Sequence, residues 1–578
     1  MQSLWITGQT GSGKTAQLIE AGLVEPLEQL QQNKQGSVLV FAANSENRSI
    51  LVDRMMQATQ GQVEIRSTTP LAFFEDETLL FWPLLVKALN LKAYLPLRLR
   101  PEMEQELATR LWSDELLSGQ LSRAGVSPDR MVRQALDILQ LAALSSVPLK
   151  QVAQILETGF ADLALDRSLY PCIQVVFLRW RSWCLERGFL SYGLLAELYG
   201  QHLLQQPRYQ SHLIQRYSMV LVDDLDEYPA VTRCLFEQFL DQGTPIAFTY
   251  NPQGSVRLGL GADPEYLETL QERCQTAIHL DKAVNLAQLV AEPIVELVSQ
   301  SDQSFLDLSD RAGDLRSIQT LSRADLLRKI AEEIVQQVKS GAIQPQEIAI
   351  LGPGLDAIAR YTLREILAYE GIEIESIREQ RPLVSSPVIR ALLTVLTLVY
   401  PGLGHLVDRD AVAELLVVLS QAATFTIDPV RAGLLADHCF LPDSDNPCLL
   451  SVQAFPRWDR LGHQATQAYE QILRWFEIQR SQQQQRLLPS PIVLLDRAIQ
   501  QFFVSRQLLG FDQMRVLREF IETAMHYWEV ESRLQPQGSE FYTETIRQFI
   551  QLQSRGIITA DHYPESPLST PNPDVTMA

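Results

Sequence analysis

Cysteine is scarce. Six residues in 578 (Cys172, Cys184, Cys234, Cys274, Cys439 and Cys448) lie far apart, with no CxxC pair. That spacing excludes a disulfide framework and the close ligand pairs of zinc or iron–sulfur sites. The eight histidines supply no HxxxH spacing either, so no structural metal is expected. Unpaired thiols point to a reducing, cytoplasmic setting. Positive charge is in deficit: 49 Lys and Arg against 69 Asp and Glu leave a net charge of −20. Such a chain is no general polycation, although a groove lined locally by Lys and Arg can still hold a nucleic-acid strand. Long apolar runs are missing too. The most apolar stretch, Ala391 to Val407, is broken by Tyr400, Pro401, Gly402, Gly404 and His405, which predicts a buried core helix rather than a membrane span. No basic stretch, apolar core and cleavage site follow Met1, so neither a secretory signal nor a membrane partner is expected.

What is present is a globular composition, 46% apolar and 20% charged, in a chain long enough for about four domains. Ser3 to Thr7 reads as a strand. A glycine-rich turn, Gly8 to Gly13, follows, then a helix from Lys14 with Leu18, Ile19 and Leu23 at helical spacing. Ser37 to Ala42 is a continuous apolar run of the kind buried in a parallel sheet. From Pro101 to about Gln205 the pattern is helical, before strand-like runs return at Ser218–Val222 and Pro245–Tyr250. A second α/β pattern begins with a helix at Asp325–Val338 and strands at Glu347–Leu351 and Ile372–Ile374; beyond Pro401 the chain is again mainly helical. Gln482 to Gln485 reads as a solvated loop or helix end. The proline-rich tail, with Pro564, Pro567, Pro571 and Pro573, leads to a strand-like Asp574–Ala578 that stops short, as if the gene product continued.

The sharpest motif is Gly8-Gln9-Thr10-Gly11-Ser12-Gly13-Lys14-Thr15. It fits GxxxxGK[ST] and lies between a predicted strand and a predicted helix. Glycines let backbone N–H groups turn inward on phosphates, and the helix start adds positive potential. Lys14 is expected to bridge the β- and γ-phosphates of ATP, and Thr15 to place its hydroxyl on Mg²⁺. A second motif, Asp223-Asp224-Leu225-Asp226-Glu227, follows an apolar strand and so sits where α/β sheets hold ligands. Asp223 is the candidate for the Mg²⁺ shell, with Asp224 to orient or deprotonate the attacking water.

With these motifs in place the chain resembles the superfamily 1 DNA helicases of the UvrD/Rep/PcrA type, and more distantly the AddB-like subunits of helicase–nucleases. Val38–Arg54 is similar to the family's first DNA-gripping segment, and Arg187–Leu195 to its "DFxDLL". Val222–Tyr228 resembles "VDEFQDT", and Tyr250–Ala262 resembles "GDxxQSIYxFRGA". The resemblance implies an α/β P-loop NTPase with two RecA-like parallel-sheet motor domains, each carrying a mainly helical insertion. Residues 1–95 and 206–280 would form the first motor around an insertion at 96–205. Residues 281–400 would open the second, with an insertion at 401–568 and a returning segment at 569–578.

This sequence departs from the family pattern at several sensors. The "QDT" glutamine is Asp226, the third-motif glutamine is Gly254 or at best Gln253, its arginine is Leu260, and "LxxNYRS" has Asn285 where an arginine would stand. The last family motifs do not occur before Ala578, and no glutamine motif precedes Gly8. Arginine fingers are worth about 10³- to 10⁵-fold in phosphoryl transfer, so turnover is expected to be weak. The resemblance implies an ATP- and Mg²⁺-dependent translocase on single-stranded DNA in repair or recombination, working with a nuclease or second motor subunit. The alternative is an ATP-binding, catalytically attenuated scaffold in such a complex. A small-molecule kinase would leave the large insertions without a role. Strand contacts have two weaker candidates. The segment Phe177–Trp183 is expected chiefly as an amphipathic helix with buried tryptophans and solvated arginines, and Arg98 and Arg100 as a solvated edge.

Overall fold

Short apolar runs build the first half of the chain. Leu4–Gly8 (β1), Ser37–Phe41 (β2), Ile65–Thr68 (β3), Tyr217–Val222 (β4), Ile246–Tyr250 (β5) and Thr276–Leu280 (β6) form one sheet. Its order is β3-β2-β4-β5-β1-β6, and every pairing is parallel. Alternate residues face opposite sides. Trp5, Leu39, Phe41, Val220, Val222 and Phe248 enter one core, and Leu4, Ile6, Val38, Val40, Leu221 and Ala247 the other. A sheet covered on both faces needs apolar residues at every position, which is why these strands are continuous runs rather than alternations. The edge strands β3 (IRST) and β6 (TAIHL) lack such runs; β6 is largely exposed, so periodicity gives no sign of either.

The computed structural model describes residues 3–24, 36–92, 94–159, 169–281, 318–352, 355–376, 379–421, 426–504, 510–534, 539–556, 558–562 and 575–577. The chain is α/β and divides into two compact units, Met1–Asp307 and Leu308–Ala578. Among the described residues no helix is long and apolar enough to cross a membrane.

In the first unit Lys14–Ile19 (α1) widens into a π-type turn at Glu20–Val24. Ser45–Thr59 (α2) starts where the Asn44 side chain accepts the Asn47 N–H at 2.8 Å. Pro70–Leu80 (α3) follows β3, and Pro101–Leu111 (α4), Pro128–Leu144 (α5), Leu169–Arg187 (α6) and Tyr192–Glu197 (α7) account for most of the helical stretch expected from Pro101 to about Gln205. These helices are not a detached module. Ala143, Leu144, Leu185, Leu195 and Tyr199 share one core with the sheet residues, and Tyr199 stacks on Phe74 at 4.5 Å.

Charge inside this helical region gives a stability prediction. Glu104 on α4 is 5% exposed, and burial pushes its carboxyl up to about 7, against the pull of Arg133 and a hydrogen bond with Ser191. The folded state therefore holds a proton that the unfolded chain releases near pH 4.5. Stability falls as pH rises between those values and levels off above 7, by on the order of 3 kcal/mol. Thermal unfolding at pH 5, 6, 7 and 8 should show this decline, and Glu104→Gln should flatten it. Parallel pH profiles for the two proteins would overturn the assignment.

The second unit holds a smaller parallel sheet. Arg323–Lys339 (α8) and Ala357–Tyr369 (α9) pack beside Ala349–Ile350 (β7), Ile374–Ser376 (β8) and Val575–Met577 (β9), with β9 in the middle of the sheet. Two strands differ from the sequence reading. The expected strand over 347–351 shrinks to β7 because Glu347 caps a turn, its carboxylate accepting the Gln344 N–H at 2.9 Å. The expected strand over 372–374 moves to β8, since the Ile372 N–H still closes α9 on the Leu367 carbonyl. Pro387–Val399 (α10) is the core helix expected within the apolar stretch, buried from Ala391 through Val399. Arg409–Gln421 (α11) and Pro429–Cys439 (α12) follow, then His463–Gln484 (α13), whose last turn contains the glutamine run.

Candidate functional site

The carboxyl ends of β1, β4 and β5 meet because β5 lies between the other two in the sheet. The chain leaves β1 through Gly8–Gly13. Gly13, at φ 91°, takes a left-handed conformation that side-chain-bearing residues avoid, and so turns the loop into α1. Close approach explains Gly8, where a Cβ would stand 2.3 Å from Ser12 Oγ. Lys14, only 7% exposed, folds back so that its Nζ donates to the Gln9 carbonyl at 3.1 Å. The same carbonyl accepts the Ser12 N–H, while the buried Ser12 hydroxyl has no partner among the described residues.

Asp223 follows the last residue of β4 and is 7% exposed. Its carboxylate accepts Thr15 Oγ1–H at 3.0 Å and Thr249 Oγ1–H at 2.7 Å, and the Thr249 oxygen accepts the Asp224 N–H at 2.7 Å. Thr249 on β5 thus ties the acidic turn to the strand beside β1. Adjacent octahedral ligands of Mg²⁺, at roughly 2.0–2.1 Å from the metal, stand about 2.9 Å apart. The Thr15 and Asp223 oxygens already hold nearly that separation. One hydroxyl and one carboxylate also suit a cation that takes its other ligands from phosphate and water, so the residues fit Mg²⁺.

The next carboxylates crowd together. Asp224, at φ 52°, is half-buried, and burial followed by the neighbouring Asp223 and Asp226 charges pushes its carboxyl up to about 7. Burial also raises Asp223, Asp226 and Glu227, against hydrogen bonds from Thr249 and Thr15, the Asn251 N–H, and the Arg257 guanidinium respectively. Asp226 and Gly254 share one space. Its Oδ1 accepts the Asn251 N–H at 2.8 Å, and its Oδ2 lies 1.8 Å from where a Cβ on Gly254 would be. The carboxylate at 226 fills the space that a side chain at 254 would need, so the two positions are sterically coupled.

A cavity of about 480 Å³ opens here. Of the residues expected from sequence, Thr10, Gly11, Gly13, Lys14, Thr15, Asp224 and Gln253 line it. Gly8, Gln9 and Ser12 form the base of the loop, and Asp223 lies behind Thr15. Sequence reasoning missed Arg54, Asp226 and Asn251 as lining residues, and Thr249 as the link behind them. Arg54 is an exposed cation on α2, and Asn251 donates through its amide to Thr10 Oγ1 at 3.2 Å. Leu260 is 68% exposed; the arginine of its segment is Arg257, which donates to the Ala43 carbonyl at 2.9 Å and pairs with Glu227 at 3.7 Å. That arginine stands three residues before Leu260, where the resemblance has one. Asn285 lies outside the described residues.

The weaker strand candidates resolve differently. Phe177 and Trp180 are buried in the α6 core, with Trp180 stacked on Trp183 at 5.7 Å. The arginines are not simply solvated, as expected: Arg179 pairs with Glu115 at 2.6 Å and Arg181 with Glu197 at 2.5 Å. Arg98 pairs with Glu75 at 2.6 Å and lies over the Tyr192 ring, which corrects the solvated-edge expectation for that residue. Buried or partly buried carboxylates recruit these guanidiniums because an unpaired buried charge is costly. No known family matches this chain, and no curated protein matches it.

Proposed function

We propose that the chain is a P-loop ATPase of the superfamily 1 helicase type, a cytoplasmic motor that couples ATP hydrolysis to movement on single-stranded DNA. The observation that carries the reading is the Thr15–Asp223 hydrogen bond beside Lys14, which joins two motifs 208 residues apart at the mouth of one cavity. In this reading the loop N–H groups and α1 hold the phosphates, and Lys14 exchanges the Gln9 carbonyl for phosphate oxygen. Thr15 and Asp223 would hold Mg²⁺, which supplies positive charge against the phosphate oxygens during transfer. Asp224 orients the attacking water, Gln253 and Asn251 line the approach, and Arg54 adds a cation on the α2 side. Two RecA-like motor domains with helical insertions belong to the same proposal, as does a nuclease or second motor partner.

A second reading, an ATP-binding scaffold with little turnover, is favoured by the Asp226–Gly254 pair: the Asp226 carboxylate fills the space that a side chain at 254 would need, so of the two positions that the resemblance offers for a water-sensing glutamine only Gln253 has the amide. ATP hydrolysis by the full chain, with and without single-stranded DNA, separates the two. Stimulation by DNA supports the motor. ATP binding with turnover no higher than that of Lys14→Ala supports the scaffold.

A further inference from the structure

We propose that a second cavity, between α12 and the turn at Trp458–Leu461, binds single-stranded nucleic acid through two arginines and a ring platform. This cavity, of about 440 Å³, is lined by Arg431, Arg457, Arg460, His438, Phe455 and apolar neighbours, and among the described residues by no carboxylate. In a chain of net charge −20 that lining is unusual. Arg431 is committed to Asp428. Arg457 and Arg460 are exposed, and among the described residues neither makes an ion pair. Asp459 stands between them in sequence but does not line the cavity, and Asp437 on α12 faces Arg409 at 3.7 Å.

The rings decide the ligand class. His438 stacks on Phe455 with centroids 4.7 Å apart and planes 22° from parallel. Phe455 is 7% exposed, so it backs the ring pair, while the exposed imidazole presents a flat surface to the cavity. Trp458, next to Arg457, is 45% exposed and extends the aromatic surface beyond the cavity. Guanidiniums alone would hold any anion, but guanidiniums beside open rings match the alternation of phosphate and base along a strand. An acidic peptide would use the cations and leave the rings exposed.

This site deepens the DNA part of the function proposed above and is independent of its nucleotide chemistry. The test is anisotropy of a labelled oligothymidylate titrated with the full chain across a salt series. Arg457→Ala with Arg460→Ala should weaken binding at least about tenfold and reduce the salt slope by about 1.4, at roughly 0.7 per lost phosphate contact. An abasic strand of equal charge should bind about tenfold more weakly than oligothymidylate, and His438→Ala should erase most of that difference. Thermal unfolding of the variants should match the parent, since these side chains are exposed. Unchanged affinity and slope in the double variant would overturn the site. So would equal binding of the abasic strand, equal competition by polyglutamate, or equal affinity for thymidine monophosphate. Strand binding through these arginines without ATP turnover would leave this site standing and remove the motor reading.

Discussion

Lys14→Ala is expected to lower DNA-stimulated ATP turnover by about 10²- to 10³-fold, the usual effect of removing one preorganised charge donor. Its surroundings explain the size of the effect. The cavity is edged by Asp224, Asp226 and Glu227, with Asp223 behind them, so a triphosphate entering it meets concentrated negative charge. Among the described residues Lys14 and Arg54 are the cations lining it, and Lys14 belongs to the loop itself. In the proposed reading, removing it would leave the phosphate chain dependent on the loop N–H groups and the metal. Stability should fall modestly, because the lysine loses a hydrogen bond to the Gln9 carbonyl, a net contribution of about 1 kcal/mol, together with its attraction to Asp223, Asp224 and Asp226. The measurement pairs steady-state hydrolysis with thermal unfolding. Turnover within about threefold of the parent would remove Lys14 from the chemistry. A large fall accompanied by unfolding would instead assign it a structural role.

Gly254→Ala is expected to destabilise the first unit by about 2–3 kcal/mol, the range for forcing an atom into filled space. The added Cβ would lie 1.8 Å from Asp226 Oδ2, and Asp226 cannot retreat without releasing the Asn251 N–H. Asp226→Ala alone should cost about 1–3 kcal/mol by leaving that N–H unpaired. Together the two changes should cost less than their sum by at least about 1 kcal/mol, since the second removes the atom that the first collides with. Additive costs in denaturant unfolding would show that the carboxylate and the glycine are not coupled. Nucleotide affinity should follow stability in this series, because the same turn carries Asn251 and Gln253 at the cavity edge.

Much of the parallel sheet was legible beforehand because β1, β2, β4 and β5 are buried on both faces and must be apolar throughout. The turn chemistry was legible for a similar reason: glycine at 13 meets a left-handed backbone, and few other residues do so without strain. The edge strands β3 and β6 were not visible, since an edge with solvent on one side does not need a continuous apolar run. Arg98, Arg179 and Arg181 also misled. A charged residue at an exposed sequence position looks solvated until the carboxylate facing it is known, and Glu75, Glu115 and Glu197 lie 16 to 64 residues away in sequence.

The sequence by itself determined the local devices, namely the glycine-rich turn after an apolar strand, the lysine and threonine at a helix start, and the acidic turn after a second strand. Each depends on the conformational freedom or side-chain chemistry of a few consecutive residues, which composition and spacing express directly. Only the tertiary structure decided what those devices face. The sheet order brings Thr15 and Thr249 together on the Asp223 carboxylate, and the packing of the acidic turn makes Asp226 and Gly254 a single unit. The stacking of His438 on Phe455 beside Arg457 and Arg460 belongs to the same class. Such contacts join residues far apart in the chain, and their geometry comes from burying shared apolar surface rather than from any local preference.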